Sequence, residues 1–255
     1  MRPLIRGFSN EMRYKMSILS DLIAHLQGKD HPVKEVLTGA YWTGVVSRGC
    51  GLASTFRDEG HPHPRGVKEV GRLTEKSALQ LANYSLSDYA MEASIGMAAI
   101  NSLLEVDEKR WVEKNASQIL MEKGEGKDVA IVGHFPFIPE LRKKARNLWV
   151  LEQRPQVGDL SSEEAQNILP RCEVVGITGT AFINHTLDDL LNWARGKYIL
   201  LIGPTTPLTP FLFNYGIHVL SGTVVVDKVE AFKCISQGAT FREVRGVSRV
   251  TMVKE

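Results

Sequence analysis

Four short runs, apolar almost throughout, at 129–132, 148–151, 173–177 and 198–202, constrain this chain more than any other feature. Each is followed by a turn rich in Gly, Pro or Thr and then by a helical pattern. An apolar run without polar alternation marks a strand buried on both faces. Such strands alternating with helices build βαβ crossovers around a parallel sheet. The helical pattern is clearest where Leu187, Leu190, Leu191 and Ala194 share one face. Ser161 with Glu164 three residues later reads as a capping box. Thr206-Pro207 reads as an N-cap with Pro at the first helical position.

The first half has a different rhythm. Met12, Met16, Leu19, Leu22, Ile23 and Leu26 recur at three or four and predict a helix over 9–27, stopped by Gly28. Residues 33–38, 41–48 and 51–55 read as short strands with Gly39, Gly44, Gly49 and Gly51 as turn points, an antiparallel meander. A helix is expected over 87–104, with Tyr89, Ala93, Gly96, Ile100, Leu103 and Leu104 in one stripe. Ala90, Met97, Ala98 and Ala99 make it apolar nearly all round, so it is expected to be buried on several sides. A further helix is expected over 111–123, and Lys-Gly-Glu-Gly-Lys-Asp at 123–128 reads as a linker. The expected division is therefore an α+β unit over 1–123 and a Rossmann-like α/β unit over 124–255.

Composition narrows the function. The chain has 255 residues, 43% hydrophobic and 24% charged, enough to build a full core. Its net charge of +2 supplies no field for nucleic acid or a membrane surface. No run approaches 18 apolar residues, and the first residues lack the apolar core of a signal peptide. Cys50, Cys172 and Cys234 are scattered and odd in number, which fits a reducing cytoplasm. The expected partner is a small molecule; a homo-oligomeric state is left open.

Ligands of open parallel sheets bind beyond the carboxyl ends of the strands. The candidates therefore stand just after each apolar run. Gly133 and His134 follow the first, with His134 as a general acid or base near neutral pH. Glu152 and Asp159 follow the second, as acid/base or hydroxyl-binding carboxylates. Thr178, Gly179, Thr180 and Asn184 follow the third, and Thr205 and Thr206 the fourth. The threonines and glycine suit a cradle for an anion or polar heterocycle, but the same hydroxyls are equally suited to capping a helix. Asn101, a carboxamide on an apolar helix, needs a partner or a ligand. No dinucleotide fingerprint, P-loop, G-x-S-x-G, H-E-x-x-H or C-x-x-C motif occurs. His61 and His63, each before a proline, form the one local cluster of metal-like donors and lack a third ligand nearby.

An ordered series of motifs carries a resemblance. It comprises Gly133-His-Phe-Pro-Phe, Leu151-Glu-Gln-Arg-Pro with Gly158-Asp-Leu, Ile177-Thr-Gly-Thr-Ala-Phe-Ile-Asn with His185-Thr-Leu-Asp-Asp-Leu-Leu, and Leu201-Ile-Gly-Pro-Thr-Thr-Pro-Leu-Thr-Pro. Ser221-Gly-Thr-Val-Val-Val-Asp and Ile235-Ser-Gln-Gly continue it. The series resembles the C-terminal domain of the "Putative heavy-metal chelation" family, a prokaryotic group of unknown function, and covers most of 128–240. The first half, including Ser94-Ile-Gly-Met-Ala-Ala-Ile-Asn, resembles that family's companion domain. The resemblance implies an α/β protein: an enolase N-terminal-like α+β domain followed by a Rossmann-like parallel-sheet domain, with a site between the halves. It further implies condensation or hydrolysis of pterin-, flavin- or siderophore-type molecules, or a role in metal handling.

The function expected is an enzyme acting on a small polar heterocyclic or nucleotide-like metabolite in an interdomain crevice. Two alternatives stand beside it: a metal or metal-chelate binding protein without catalysis, and a methyltransferase-like fold that binds S-adenosylmethionine. The residues assign neither a cofactor nor a metal.

Overall fold

The computed structural model describes residues 17–56, 65–105 and 107–255. Met12, Met16, His61 and His63 lie outside the described residues. The first described helix, α1 (Ile18–His25), buries Ile18, Leu19, Leu22 and Ile23, and Ser17 caps it by accepting from Ser20 N–H. Gly28 then takes the left-handed φ of 84° that lets the chain turn away.

The meander follows as β1 (Glu35–Thr38), β2 (Trp42–Val46) and β3 (Cys50–Ser54), paired antiparallel in that order. Next come α2 (Ala78–Ala82), which Ser77 and Gln80 begin with a capping box, and α3 (Ala90–Leu103). As its composition predicts, α3 is buried nearly all round. The meander is covered on both faces. Val45 and Ala53 join the core around α3, while Trp42 and Leu52 pack against Phe232 and Ile235 from a late helix, α8 below.

Beyond this lie β4 (Trp111–Val112), α4 (Ala116–Gly124), β5 (Asp128–Val132), α5 (Ile138–Lys144), β6 (Asn147–Glu152) and β7 (Leu160–Ser161). The chain continues through α6 (Ala165–Ile168), β8 (Val174–Thr178), α7 (Leu187–Trp193) and β9 (Tyr198–Ile202). It ends with β10 (Ile217–Val225), α8 (Lys228–Ser236) and β11 (Val247–Val253). Strands β4 to β11 form one eight-stranded sheet in the order β4-β11-β10-β9-β8-β5-β6-β7. The pairs from β10 to β7 are parallel; β11 and β4 add on antiparallel. All four apolar runs are central parallel strands. No described helix is long and apolar enough to cross a membrane.

Three local expectations are corrected. The helix expected over 111–123 starts at Ala116, because Trp111 and Val112 pair with β11 and Asn115 makes a capping box with Gln118. Thr206 caps nothing: the motif operates one turn later, where Thr209 accepts from Phe211 N–H and Pro210 opens a short 3-10 helix. Ser161 does cap, but through Glu163 N–H at the start of a 3-10 turn and not as a box with Glu164. The 123/124 boundary falls at the end of α4, whose Ala116, Ile119 and Leu120 share a core cluster with Val129, Ile131 and Leu141.

Candidate functional site

Strand β5 is the turning point of the sheet. The chain runs from it to β6 and β7 on one side, then returns to β8, β9 and β10 on the other. A crevice is expected at the carboxyl ends where the direction reverses. Gly133 closes β5 with φ 109°, and a Cβ there would stand 2.9 Å from Thr178 Cβ, so only glycine lets the two strand ends approach.

Three of the sequence candidates converge here. His134 follows Gly133, and its Nδ1 lies 3.3 Å from Asp159 Oδ2. The Asp159 side chain is 4% exposed against 42% for His134, so the carboxylate is the buried anchor and the imidazole the accessible group. Asp159 Oδ2 also accepts from Gln156 N–H at 3.1 Å. Glu152, at the end of β6, accepts from Gln153 N–H at 3.2 Å and from the His134 backbone N–H. Burial raises the Glu152 carboxyl above the ordinary range; those hydrogen bonds and His134 pull it down, while Asp159 adds to the rise.

The hydroxyl candidates divide differently. Thr178 Oγ1 and Thr180 Oγ1 bond each other at 3.0 Å, and Thr178 accepts from Thr180 N–H at 3.4 Å, which makes this pair a helix cap. Gly179 is buried against Thr206: a Cβ there would come within 2.6 Å of its Oγ1. Asn184 accepts from Thr186 Oγ1 at 2.7 Å ahead of α7 and is spent locally. Thr205 ties the two sheets together. Its Oγ1 accepts from Ser54 N–H at 2.9 Å and donates to Ser54 Oγ at 3.2 Å. Asn101 works at the same seam, donating to Leu52 O at 2.8 Å and Thr205 O at 3.2 Å. Its own Oδ1 and the Thr206 hydroxyl are buried without a partner among the described residues.

Beside the His134 cluster opens a cavity of about 900 Å³, and His134 lines it. Its floor is one face of β9, β10 and β11, bearing Ile202, Ser221, Thr223 and Thr251. One wall is the stacked pair Phe135 and Phe137, centroids 5.1 Å apart, with the first turn of α4 beside it. The opposite wall comes from the meander and the segment after α8. There Trp42 stacks on Phe241 at 5.8 Å, and the Arg249 guanidinium lies 4.3 Å over the Phe241 ring. Sequence reasoning missed this wall entirely. Ser221, Thr223, Arg249 and Thr251 do carry a signal, since polar residues two apart on paired strands share a face.

The donors do not fit a metal ion. Among the described residues no group of three or more His, Cys, Asp or Glu side chains is placed to hold one, whereas structural and catalytic zinc take four and three such ligands.

Fold and site define a two-part α/β protein: a meander-and-helix unit set on a Rossmann-like sheet, with a ligand-sized cavity between them. Family models described as "Putative heavy-metal chelation" match residues 20–104 and 115–254, and the chain belongs to that family. It is similar to an uncharacterized protein of Methanocaldococcus jannaschii, 27% identical over 212 residues that cover 79% of this chain and 80% of that one. A solved structure of a family member of unknown function from Desulfitobacterium hafniense is 29% identical with a TM-score of 0.81, covering 93% of this chain and 98% of that one. Another, from Pyrococcus horikoshii, also of unknown function, shares the fold at 19% identity and a TM-score of 0.78 over the same shares of the two chains.

Proposed function

We propose that this protein is an enzyme that moves a proton on a small polar, heterocyclic or nucleotide-like molecule bound in the cavity, in a condensation or hydrolysis. The observation that carries the reading is that His134 lines the cavity while Asp159 holds it from behind. With Nδ1–H donated to the buried carboxylate, Nε2 keeps its lone pair free to take a proton; this tautomer follows from Asp159 being an acceptor. An imidazole so oriented serves as a general base, and the adjacent carboxylate steadies the imidazolium that forms. Glu152, held toward its protonated form by burial, is a second proton carrier within the cluster. Asn101 and Thr205 support the site from the seam and do not touch the ligand. The partner in this reading is a small molecule, with neither nucleic acid nor membrane involved. Three free cysteines accord with the cytoplasm as its compartment.

Metal-chelate binding without catalysis is the weaker reading, because the described residues supply no ligand cluster. The test is a thermal-shift panel of pterins, flavins, nucleosides and catecholates on the full chain, since a ligand of the native state must raise Tm. Compounds that bind are then followed for conversion by mass spectrometry. His134→Gln should retain binding and lose conversion by about 10²- to 10⁴-fold. A panel that leaves Tm unmoved, or conversion indifferent to His134, refutes the reading.

A further inference from the structure

The ionisable side chains around the cavity are unevenly spread. Glu140 and His134 stand at the end near β5, while Arg242 and Arg249 stand at the end near β11. Four strand-to-strand steps separate β5 from β11, about 19 Å at the usual spacing. Neither arginine is paired with a carboxylate among the described residues. Arg249 is held by the Phe241 ring and by donating to Phe241 O at 3.3 Å. Glu243, next to Arg242 in sequence, is turned to Thr240 instead, accepting from its N–H at 2.9 Å and its Oγ1 at 2.8 Å. A guanidinium stacked on an aromatic ring and left without an anion keeps its donor fork ready for one.

Aromatic rings line both ends. Phe135 and Phe137 stand with His134, and Phe241, with Trp42 stacked on it, stands with Arg249, beside a floor bearing Ile202, Ser221, Thr223 and Thr251. Aromatic walls favour a planar partner by stacking. Two unpaired guanidinium groups, that of Arg249 lying over the Phe241 ring, disfavour a bare divalent cation, and hard or borderline cations need carboxylate, imidazole or thiolate donors.

We propose that the Arg242–Arg249 end is an anion subsite, and that the cavity takes an elongated planar aromatic acid whose ring lies among the aromatic walls and whose oxyanion meets the two guanidinium groups. The inference rests on the cavity being the ligand site, as above, but not on His134 or on proton transfer. A metal would enter this cavity only inside an anionic complex.

The experiment uses the full chain and two dyes. One is 8-anilinonaphthalene-1-sulfonate, an aromatic anion that brightens in apolar surroundings; the other is N-phenyl-1-naphthylamine, the same rings without the anionic group. The first should bind saturably and the second more weakly. Arg242→Gln with Arg249→Gln should weaken the anionic dye by at least about tenfold and leave the neutral one within about twofold; both arginines are exposed, so the fold tolerates the change. Thr223→Trp, which fills the floor, should abolish both. Benzoate or phenyl phosphate should displace the anionic dye, the stronger competitor identifying the oxyanion, while zinc chloride should not. Dye binding is read without any turnover, so failure of the catalytic reading shows separately. Anionic-dye binding indifferent to the arginine pair or to Thr223→Trp overturns the proposal. So does displacement by zinc alone, or by neither aromatic acid.

Discussion

Replacing Gly96 with Ala sets two effects of opposite sign against each other in the middle of α3. Helix propensity favours Ala over Gly by about 1 kcal/mol. Against this, a Cβ at residue 96 would stand 1.9 Å from Ser85 N, 2.5 Å from its Cα and 2.7 Å from its Cβ. Heavy atoms reach contact at roughly 3.5 Å, so α3 and the segment carrying Ser85 must separate by about 1.5 Å. That segment is not free to move. Ser85 is fully buried, its Oγ donates to Ala82 O at 2.6 Å, and it joins α2 to the start of α3. Overpacking costs typically about 1–3 kcal/mol, and backbone against backbone belongs at or above the top of that range. The clash therefore wins, by about 2–3 kcal/mol. Thermal unfolding of the full chain, followed by circular dichroism at 222 nm, should show Tm lowered by roughly 5–10 °C, taking about 3 °C per kcal/mol for this length. A variant with unchanged or higher Tm refutes the close packing of α3 on Ser85.

Burial, with the positive charge of Lys254 next, lowers the His218 pKa, and His218 Nδ1 accepts from Ile199 N–H at 3.2 Å across β9 and β10. The fold thus prefers the neutral ring. Stability should be fully present above the unfolded-state pKa of about 6.5 and decline as pH falls from there toward the lowered folded value. His218→Asn should flatten that slope in urea titrations between pH 7 and 5, and an unchanged slope excludes His218 as its source. Purified protein should carry no stoichiometric, tightly held zinc; elemental analysis giving one equivalent, lost on His61→Ala with His63→Ala, would overturn this.

The parallel sheet was legible because its signal is local. Each apolar run at 129–132, 148–151, 173–177 and 198–202 reports its own burial, and strands β5, β6, β8 and β9 lie there. The same holds for α3, whose all-round apolar face needs no partner to be recognised. Where local signals compete, the reading slipped. Thr206-Pro207 and Thr209-Pro210 both spell an N-cap, and only the second is followed by residues that turn. Trp111 and Val112 sit next to a strong helix, but pairing with β11 decides their conformation, and that partner is more than 130 residues away.

The candidate site divides along the same line. His134, Glu152 and Asp159 come together because a polar side chain at the end of a buried strand has little in its own segment to satisfy it, so it turns to its neighbours across the strand ends. Thr178, Thr180 and Asn184 stay apart from that cluster because a short hydroxyl or amide near a helix start reaches its own backbone and close neighbours first. Each is indeed bonded within two residues. The cavity wall of Trp42, Phe241 and Arg249 lies beyond both kinds of signal. Its members come from β2, the segment after α8, and β11, and only the packing of the late helix α8 over the early meander brings them together. The Cβ that Gly44 lacks would stand 2.7 Å from the Phe232 ring of that helix. A glycine read from sequence as a turn point is thus the clearance that lets the two halves of the chain close around one cavity.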